Sequence, residues 1–322
     1  MQAGRMIVGS LALAAIFANV KTAPAQPYPS HPVTMIVPLA AGGPIDAIAR
    51  IVAEGMSASL GQPVIIENVT GASGSLGVGR VARAKPDGYT ISLGYIGTHV
   101  FNGAAFPLPY DLLNDFEPVS LLVSNPLLIV ARKTMAAKDL RELIAWLKAN
   151  PDKASEGTTG PGGSSQVAGI YFQKETGTRF QLVPYRGAAP MMQDLLAGRI
   201  DLMFDFVANS LPQVRSGTIK AYAVTAPSRL PAAPDIPTVD EAGLPGFYVT
   251  AWEGVWAPKG TPKDVIGKLN AAIVAALADS SVRRQLADLG QDIYPRDQQT
   301  PEALGALQRA EIKKWWPIIK AE

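Results

Sequence analysis

The sequence predicts an α/β fold, and three observations predict it. Short apolar, β-branched runs alternate with segments whose apolar residues recur at helical spacing. Glycine-rich loops lie between the end of a strand-like run and the start of a helical one, the position at which open α/β sheets bind ligands. Hydrophobic residues make up 48% of the 322 and charged residues 17%, a composition that supports a well-buried core rather than a disordered chain. Alternation of this kind leads us to expect mostly parallel sheets.

The elements follow in chain order. Val33 to Val37 reads as a buried strand that breaks at Pro38. Leu39 to Pro44 then leads into a helical face of Ile45, Ile48, Ala49, Val52 and Met56. Pro44 suits a first helical turn, where its missing N–H would be unpaired anyway. The unit recurs: residues 61–67 are strand-like, and Gly71 to Ser75 opens a helix carrying Val78, Val81 and Ala82. An Asp87-Gly88 turn precedes a strand over 89–93, and a loop from Gly94 to His99 follows it. Leu127 to Ala131 is a further strand, and Leu140 to Ala149 an amphipathic helix ended by Asn150-Pro151. A third strand-to-helix loop, Gly160 to Ser165, introduces Val167, Ala168, Ile170, Tyr171 and Phe172. Short strands are expected over 180–183, 202–204 and 221–225, and helices over 264–278, 281–289 and 301–319. Composition shifts at Pro118 to Pro126 and in the proline-rich stretch Pro227 to Pro245.

The first 25 residues read as an export signal. Arg5 supplies a positive start, Met6 to Val20 is almost wholly apolar, and Ala23-Pro24-Ala25 offers small residues to a signal peptidase. The apolar run is about 15 residues, short of the ~20 a spanning helix needs. Cleavage after Ala25 leaves Gln26 as the new N-terminus, and periplasmic residence follows. An uncleaved N-terminal anchor is the other reading of the same segment. The formal charge is +2, and Arg5 and Lys21 account for it, so the remainder is neutral. A neutral surface gives no footprint for nucleic acid. With no cysteine, thiol nucleophiles, iron–sulfur clusters and Cys-type zinc sites are excluded.

Signatures for catalysis fail one by one. Only His31 and His99 are present, and no HExxH occurs, so neither a histidine metal site nor any cofactor is expected. Gly71 to Ser75 is not a G-x-S-x-G elbow. The run from Gly157 to Gly163 lacks the Lys-Ser/Thr of a P-loop, and Gly160-Pro161-Gly162 lacks the third glycine of a dinucleotide fingerprint. Anion binding without chemistry survives. Ala41-Gly42-Gly43-Pro44 exposes backbone N–H groups near a helix start, where the dipole adds roughly half a positive charge. Gly160 to Ser165 offers the same donors plus two hydroxyls. Both loops are equally readable as tight turns. An exported serine hydrolase using Ser75 or Ser164 remains the alternative from another class.

Taken in order, the segments of the chain after the leader resemble the Bug-type substrate-binding receptors of tripartite tricarboxylate transporters. The likeness rests on Tyr28-Pro29-Ser30, Ile36 to Asp46 with Ala49-Arg50, Glu67-Asn68, and Lys85 to Tyr89. It continues through Gly160 to Ser165, Pro184-Tyr185-Arg186-Gly187, Asp194 to Asp201, Ile236-Pro237-Thr238, and Trp252 with Ala257-Pro258. The resemblance implies a type II periplasmic-binding-protein fold, two lobes with a ligand cleft between them. Lobe 1 would span residues 26–125 plus 249–322, and lobe 2 residues 126–248. It implies a small carboxylate ligand, integral-membrane transporter subunits as partners, a monomer, and no enzymatic activity. A sensor that reports a carboxylate to a membrane kinase is a further reading.

Carried onto this sequence, the first cradle is Ala40 to Asp46, with Ala41, Gly42, Gly43 and Ile45 among its residues, and Leu39 stands in the pocket wall beside it. The facing cradle runs from Gly160 to Gln166 and includes Gly162, Gly163, Ser164 and Ser165, with Arg186 in the Pro-Tyr-Arg-Gly segment; read individually, Tyr185 and Asp205 are expected near the cleft. Ser73, Tyr95 and Thr98 complete the expected ligand-side edge; Ser73 and Thr98 are also readable as helix caps. Three positions depart from the family pattern: Gln166 stands where many members have His, Arg186 where Lys is usual, and Leu39 where an aromatic residue is common. Trp252 is expected to pack in the core near a lobe crossover, and Trp315 and Trp316 to pack the last helix onto lobe 1.

Overall fold

The computed structural model describes residues 28–320. The leader and its cleavage point lie outside the described residues. The chain opens with β1 (Val33–Val37), α1 (Pro44–Leu60), β2 (Val64–Asn68), α2 (Ser75–Ala82), β3 (Thr90–Tyr95) and the short α3 (Asn102–Ala105). It continues through β4 (Phe116–Arg132), α4 (Leu140–Ala149), β5 (Ser155–Thr158), α5 (Ser164–Thr176), β6 (Gln181–Pro184), α6 (Ala188–Leu196), β7 (Leu202–Phe206), α7 (Val207–Arg215) and β8 (Ile219–Val224). It closes with β9 (Thr250–Pro258), α8 (Lys263–Ala278), α9 (Ser280–Asp288), β10 (Asp292–Ile293) and α10 (Pro301–Ile319).

The strands form one sheet in the order β2-β1-β3-β9-β4-β7-β5-β6, with β8 and β10 also paired to β4. The sheet is mixed, not mostly parallel as the alternation suggested. β1 is parallel to β2 and β3, and β5 is parallel to β6 and β7. At the centre, β9 runs antiparallel to β3 and β4, and β4 runs antiparallel to β7 and β8. The reversal has a simple origin. β4 is 17 residues long and serves two halves of the sheet in succession. Its residues Phe116 to Pro126 pair with β9, and Leu127 to Arg132 pair with β7 and β8. A strand that leaves one sheet half must be matched by one that returns, and β9 returns alongside it.

Hydrophobic burial follows this plan. One cluster packs α1 and α8 on β1 and β3 through Ile48, Val52, Leu269 and Ile273. Another packs α6 and α7 on β7 through Met191, Leu195, Met203 and Leu211. The largest runs through both halves and contains Phe101, Phe172, Phe247 and Trp315. Trp315 is 1% exposed and meets Phe101 edge-on at 5.7 Å and Tyr171 of α5 edge-on at 5.2 Å. The last helix therefore packs onto both halves, whereas the sequence pointed only to the first. Trp252 is core, as expected, and 2% exposed.

Candidate functional site

Between the two halves of the sheet lies a cavity of about 400 Å³, within the range of small-molecule sites. Its walls come from segments remote in sequence: the β1–α1 loop, the end of β3, the middle of β4, the loops entering α5 and α6, and β9. Leu39, Ile45, Ile48, Tyr95 and Phe206 give it a largely apolar middle.

Three helices with glycine N-caps begin at this cavity, and none has a side-chain cap. The N-cap residues are Gly43 for α1, Gly163 for α5 and Gly187 for α6. Glycine has no side chain to satisfy the first-turn N–H groups, so these donors stay available to a ligand. Of the other helices, α4, α9 and α10 are capped by side chains: Asp139 accepts from Glu142 N, Asp279 from Ser281 N and Val282 N, and Thr300 from Ala303 N, whereas α2, α3, α7 and α8 are not. Each helix start carries roughly half a positive charge, and α1 enters from one half of the sheet while α5 and α6 enter from the other. Arg186 lines the same cavity from an exposed position.

The residues expected at the site divide into those that line the cavity and those that shape its walls. Leu39, Ile45, Ser73, Tyr95, Gly162, Gly163, Ser164, Tyr185 and Arg186 line it. Ala40, Ala41, Gly42, Gly43, Asp46, Thr98, Ser165, Gln166 and Asp205 are not among the lining residues. Several of these hold the loops. Asp46 is 3% exposed and accepts from Gly42 N at 2.9 Å, Arg50 Nε at 2.9 Å and Asn68 Nδ2 at 2.9 Å. Burial alone would raise its carboxyl, but these partners outweigh burial and hold it at about 2. Ser165 Oγ accepts from Thr159 N at 2.9 Å and closes the α5 loop. Thr98 Oγ1 donates to Tyr95 O at 3.1 Å. Asp205 accepts from Asn209 Nδ2 at 2.6 Å and Ser210 Oγ at 2.5 Å, tying the end of β7 to α7. Tyr185 donates its hydroxyl to Asp194 at 2.8 Å, so its ring faces the cavity with the polar tip already satisfied.

Two strained residues frame the rim. Ala72 (φ 47°) and Ser73 (φ 53°) occupy the left-handed region without being glycine. Asn102 Nδ2 donates to Ser73 O at 2.9 Å and helps to fix the pair. Asn102 also faces the opposite half: a Cβ added to Gly162 (φ +76°) would stand 2.7 Å from Asn102 Oδ1.

Sequence reasoning missed the cavity floor. Asn125, Glu253 and Gln291 line it and are buried. Burial pushes the Glu253 carboxyl up to about 8, which leaves it neutral at pH 7. No local motif marks these residues, because strand register between distant segments brings them together.

The residues do not assemble a hydrolase. His99 is fully buried, stacked on Trp256 at 3.8 Å with Nδ1 at 3.0 Å from Thr98 Oγ1, and burial drives its imidazole down to about 3. His31 stacks on Tyr89 at the surface. Among the described residues, neither Ser75 nor Ser164 has a histidine hydrogen-bond partner.

A family model described as the tripartite tricarboxylate transporter family receptor matches residues 48–322. Among solved structures, the chain is similar to the periplasmic binding protein BugD, at 41% identity and a TM-score of 0.79 over 91% of this chain and 98% of that one. It is similar to MatC of Rhodopseudomonas palustris with bound malate, at 41% identity and a TM-score of 0.80 over 91% and 100%. A third likeness is to a protein of R. palustris with adipate, at 32% identity and a TM-score of 0.81 over 91% and 97%.

Proposed function

The chain belongs to the tripartite tricarboxylate transporter receptor family, and from that premise we propose that its cavity takes a small dicarboxylate by closure of two lobes. It is a solute-binding receptor with a periplasmic-binding-protein fold, not an enzyme. One observation carries the ligand proposal: three glycine-capped helix starts, from both halves of the sheet, open into one cavity of about 400 Å³. One carboxylate would sit on the start of α1. The other would sit on the starts of α5 and α6, within reach of Arg186, whose planar fork suits a carboxylate. The apolar middle would hold the carbon chain. Malate and adipate, bound by two similar structures, are ligands of this form.

The closing bodies are taken as residues 26–125 with 249–322, and residues 126–248. Ligand bound to one body would complete its contacts only when the other shuts, so the closed population rises by the ligand's differential affinity. The closed receptor, acting as a monomer, would then dock on the membrane subunits of its transporter. We assign the N-terminal 25 residues as a cleaved leader that sends the chain to the periplasm.

A thermal-shift screen of purified 26–322 against malate, adipate, succinate and citrate tests the reading. A ligand at 100 times its Kd stabilises the folded state by about 2.7 kcal/mol, a rise of several degrees for a chain of this size. If no dicarboxylate raises the melting temperature, the carboxylate assignment is wrong.

A further inference from the structure

The floor of the cavity carries polar atoms that a carboxylate cannot satisfy. Asn125 is 3% exposed, Glu253 2% and Gln291 6%. Their meeting follows from register. On β4, Val123 lies opposite Glu253 and Asn125 opposite Ala251. On the other side of β4, Ile293 lies opposite Val123 and Asp292 opposite Ser124, which brings Gln291 abreast of Asn125. Side chains alternate along a strand, so Asn125, Glu253 and Gln291 share one face. Tyr95, opposite Glu253 on β3, shares it too.

Each of the three carries a buried oxygen without a hydrogen-bond partner: Asn125 Oδ1, Glu253 Oε2 and Gln291 Oε1. The Gln291 amide cannot be turned freely, since its Nε2 donates to Leu289 O at 3.2 Å. Its oxygen is therefore an acceptor. Buried acceptors are costly to leave unmade, and Gln291 Oε1 together with the accepting oxygen of the neutral Glu253, on one cavity floor, calls for an occupant that brings a donor. A carboxylate brings none.

We propose that the ligand is a carboxylate bearing a hydrogen-bond donor on its carbon chain, a hydroxyl or a primary ammonium, and that Glu253 selects for that substituent. This rests on the carboxylate reading of the same cavity and deepens it. Glu253 suits either donor. As a neutral acid it accepts at one oxygen and donates at the other, which complements a hydroxyl. Opposite an ammonium it releases its proton and forms a charge-assisted bond. The groups around it are Tyr95 on β3, Tyr294 after β10 and, more distantly, Glu311 on α10, while Arg186 stands on the opposite half. Burial and then the Glu253 charge push the Tyr95 hydroxyl up to about 12, so it stays protonated and does not compete for the proton.

Calorimetric titration of purified 26–322 with matched acids tests this. The sets are succinate, malate and aspartate, and adipate against 2-aminoadipate. In at least one set the substituted acid binds about tenfold or more tightly than its plain partner, as expected for one well-formed buried hydrogen bond. In Glu253→Leu, whose fold is checked by its melting curve, that ratio collapses to about threefold or less. Titration in two buffers of different ionisation enthalpy separates the sources. A hydroxyl ligand binds without proton release and keeps its advantage in Glu253→Gln. An ammonium ligand releases up to about one proton at pH 7 and loses its advantage in Glu253→Gln. Equal affinity for plain and substituted acids, or a ratio that survives Glu253→Leu, overturns the role of Glu253 while leaving carboxylate binding intact. Failure of every acid to bind overturns the carboxylate reading and this one with it.

Discussion

Asp46 and Glu253 are both buried carboxyls beside one cavity, and their surroundings drive them in opposite directions. Asp46 meets Arg50, Asn68 and a backbone N–H and is held at about 2. Its stabilising effect is complete above the ordinary aspartate range and is lost as pH falls toward 2. Glu253 has an unpartnered oxygen and is pushed up from 4.5 to about 8. The folded state then holds a proton that the unfolded state gives up, so stability from this group is complete below about 4.5 and is lost as pH rises toward 8. Each pH unit in that window costs about 1.4 kcal/mol. Melting curves of Glu253→Gln and the parent at pH 5, 6, 7 and 8 check this: the variant gains on the parent by several degrees across the series. A constant difference would show that Glu253 ionises normally. At this scale the sequence was half legible. Leu39, Ile45, Tyr95 and Gly162 to Ser164 line the cavity because they flank strand–loop–helix junctions that a local pattern exposes. Asn125, Glu253 and Gln291 stayed hidden because no spacing relates three residues that only a register aligns.

Among the elements, the helix starts matter most. At α6 the first helical residue is Ala188, partly buried and lining the cavity, after Gly187 with φ 113° and ψ 173°. Proline is favoured at a first helical position and tolerates an extended residue before it. Ala188→Pro thus removes one N–H facing the cavity and leaves the helix intact. We expect ligand affinity to fall about tenfold or more, the worth of one hydrogen bond to a charged group, with the melting temperature of the free protein within about 2 °C of the parent. Ala188→Ser, which keeps the N–H, is the control, and unchanged affinity in the proline variant would remove α6 from the site. Helix starts were legible because glycine and proline mark them. β9 was not. Thr250–Pro258 interleaves Trp252, Glu253 and Gly254, and burial on both faces erases any alternation. β4 was read only from Leu127 onward, because Pro118 and Pro126 look like strand breaks. The strand absorbs irregularity through register shifts between Pro118 and Ser120 and between Leu121 and Val123.

For the molecule as a whole, the two sheet halves touch one another, the arrangement that the proposed closure would require. Gly162 stands against Asn102, Trp315 packs on Tyr171, and Lys314 Nζ donates to Tyr248 O at 3.0 Å. Two predictions follow at this scale. Small-angle scattering of the free protein should give a larger radius of gyration than the ligand-saturated one; identical curves would exclude closure. Gly162→Ala should weaken ligand binding about tenfold or more, because a Cβ strains a φ of +76° and meets Asn102 only when the halves are together. Calorimetry on the variant measures it, and an unchanged Kd would mean that Gly162 and Asn102 do not meet in the bound state. The α/β class was legible from alternation, whereas the antiparallel centre was not, since it depends on two strands separated by residues 133–249, more than a third of the chain.

That separation has a consequence for how the chain is made. β9 lies between β3 and β4, yet the ribosome reaches it only after residues 133–249 have been synthesised. Until then β3 and β4 each lack their shared neighbour, and the first sheet cannot be completed from the N-terminal segment alone. Folding of that part waits on the last quarter of the polypeptide. Under the export proposed above, such a delay would favour a chain still loose enough to be threaded through a membrane pore before its structure locks.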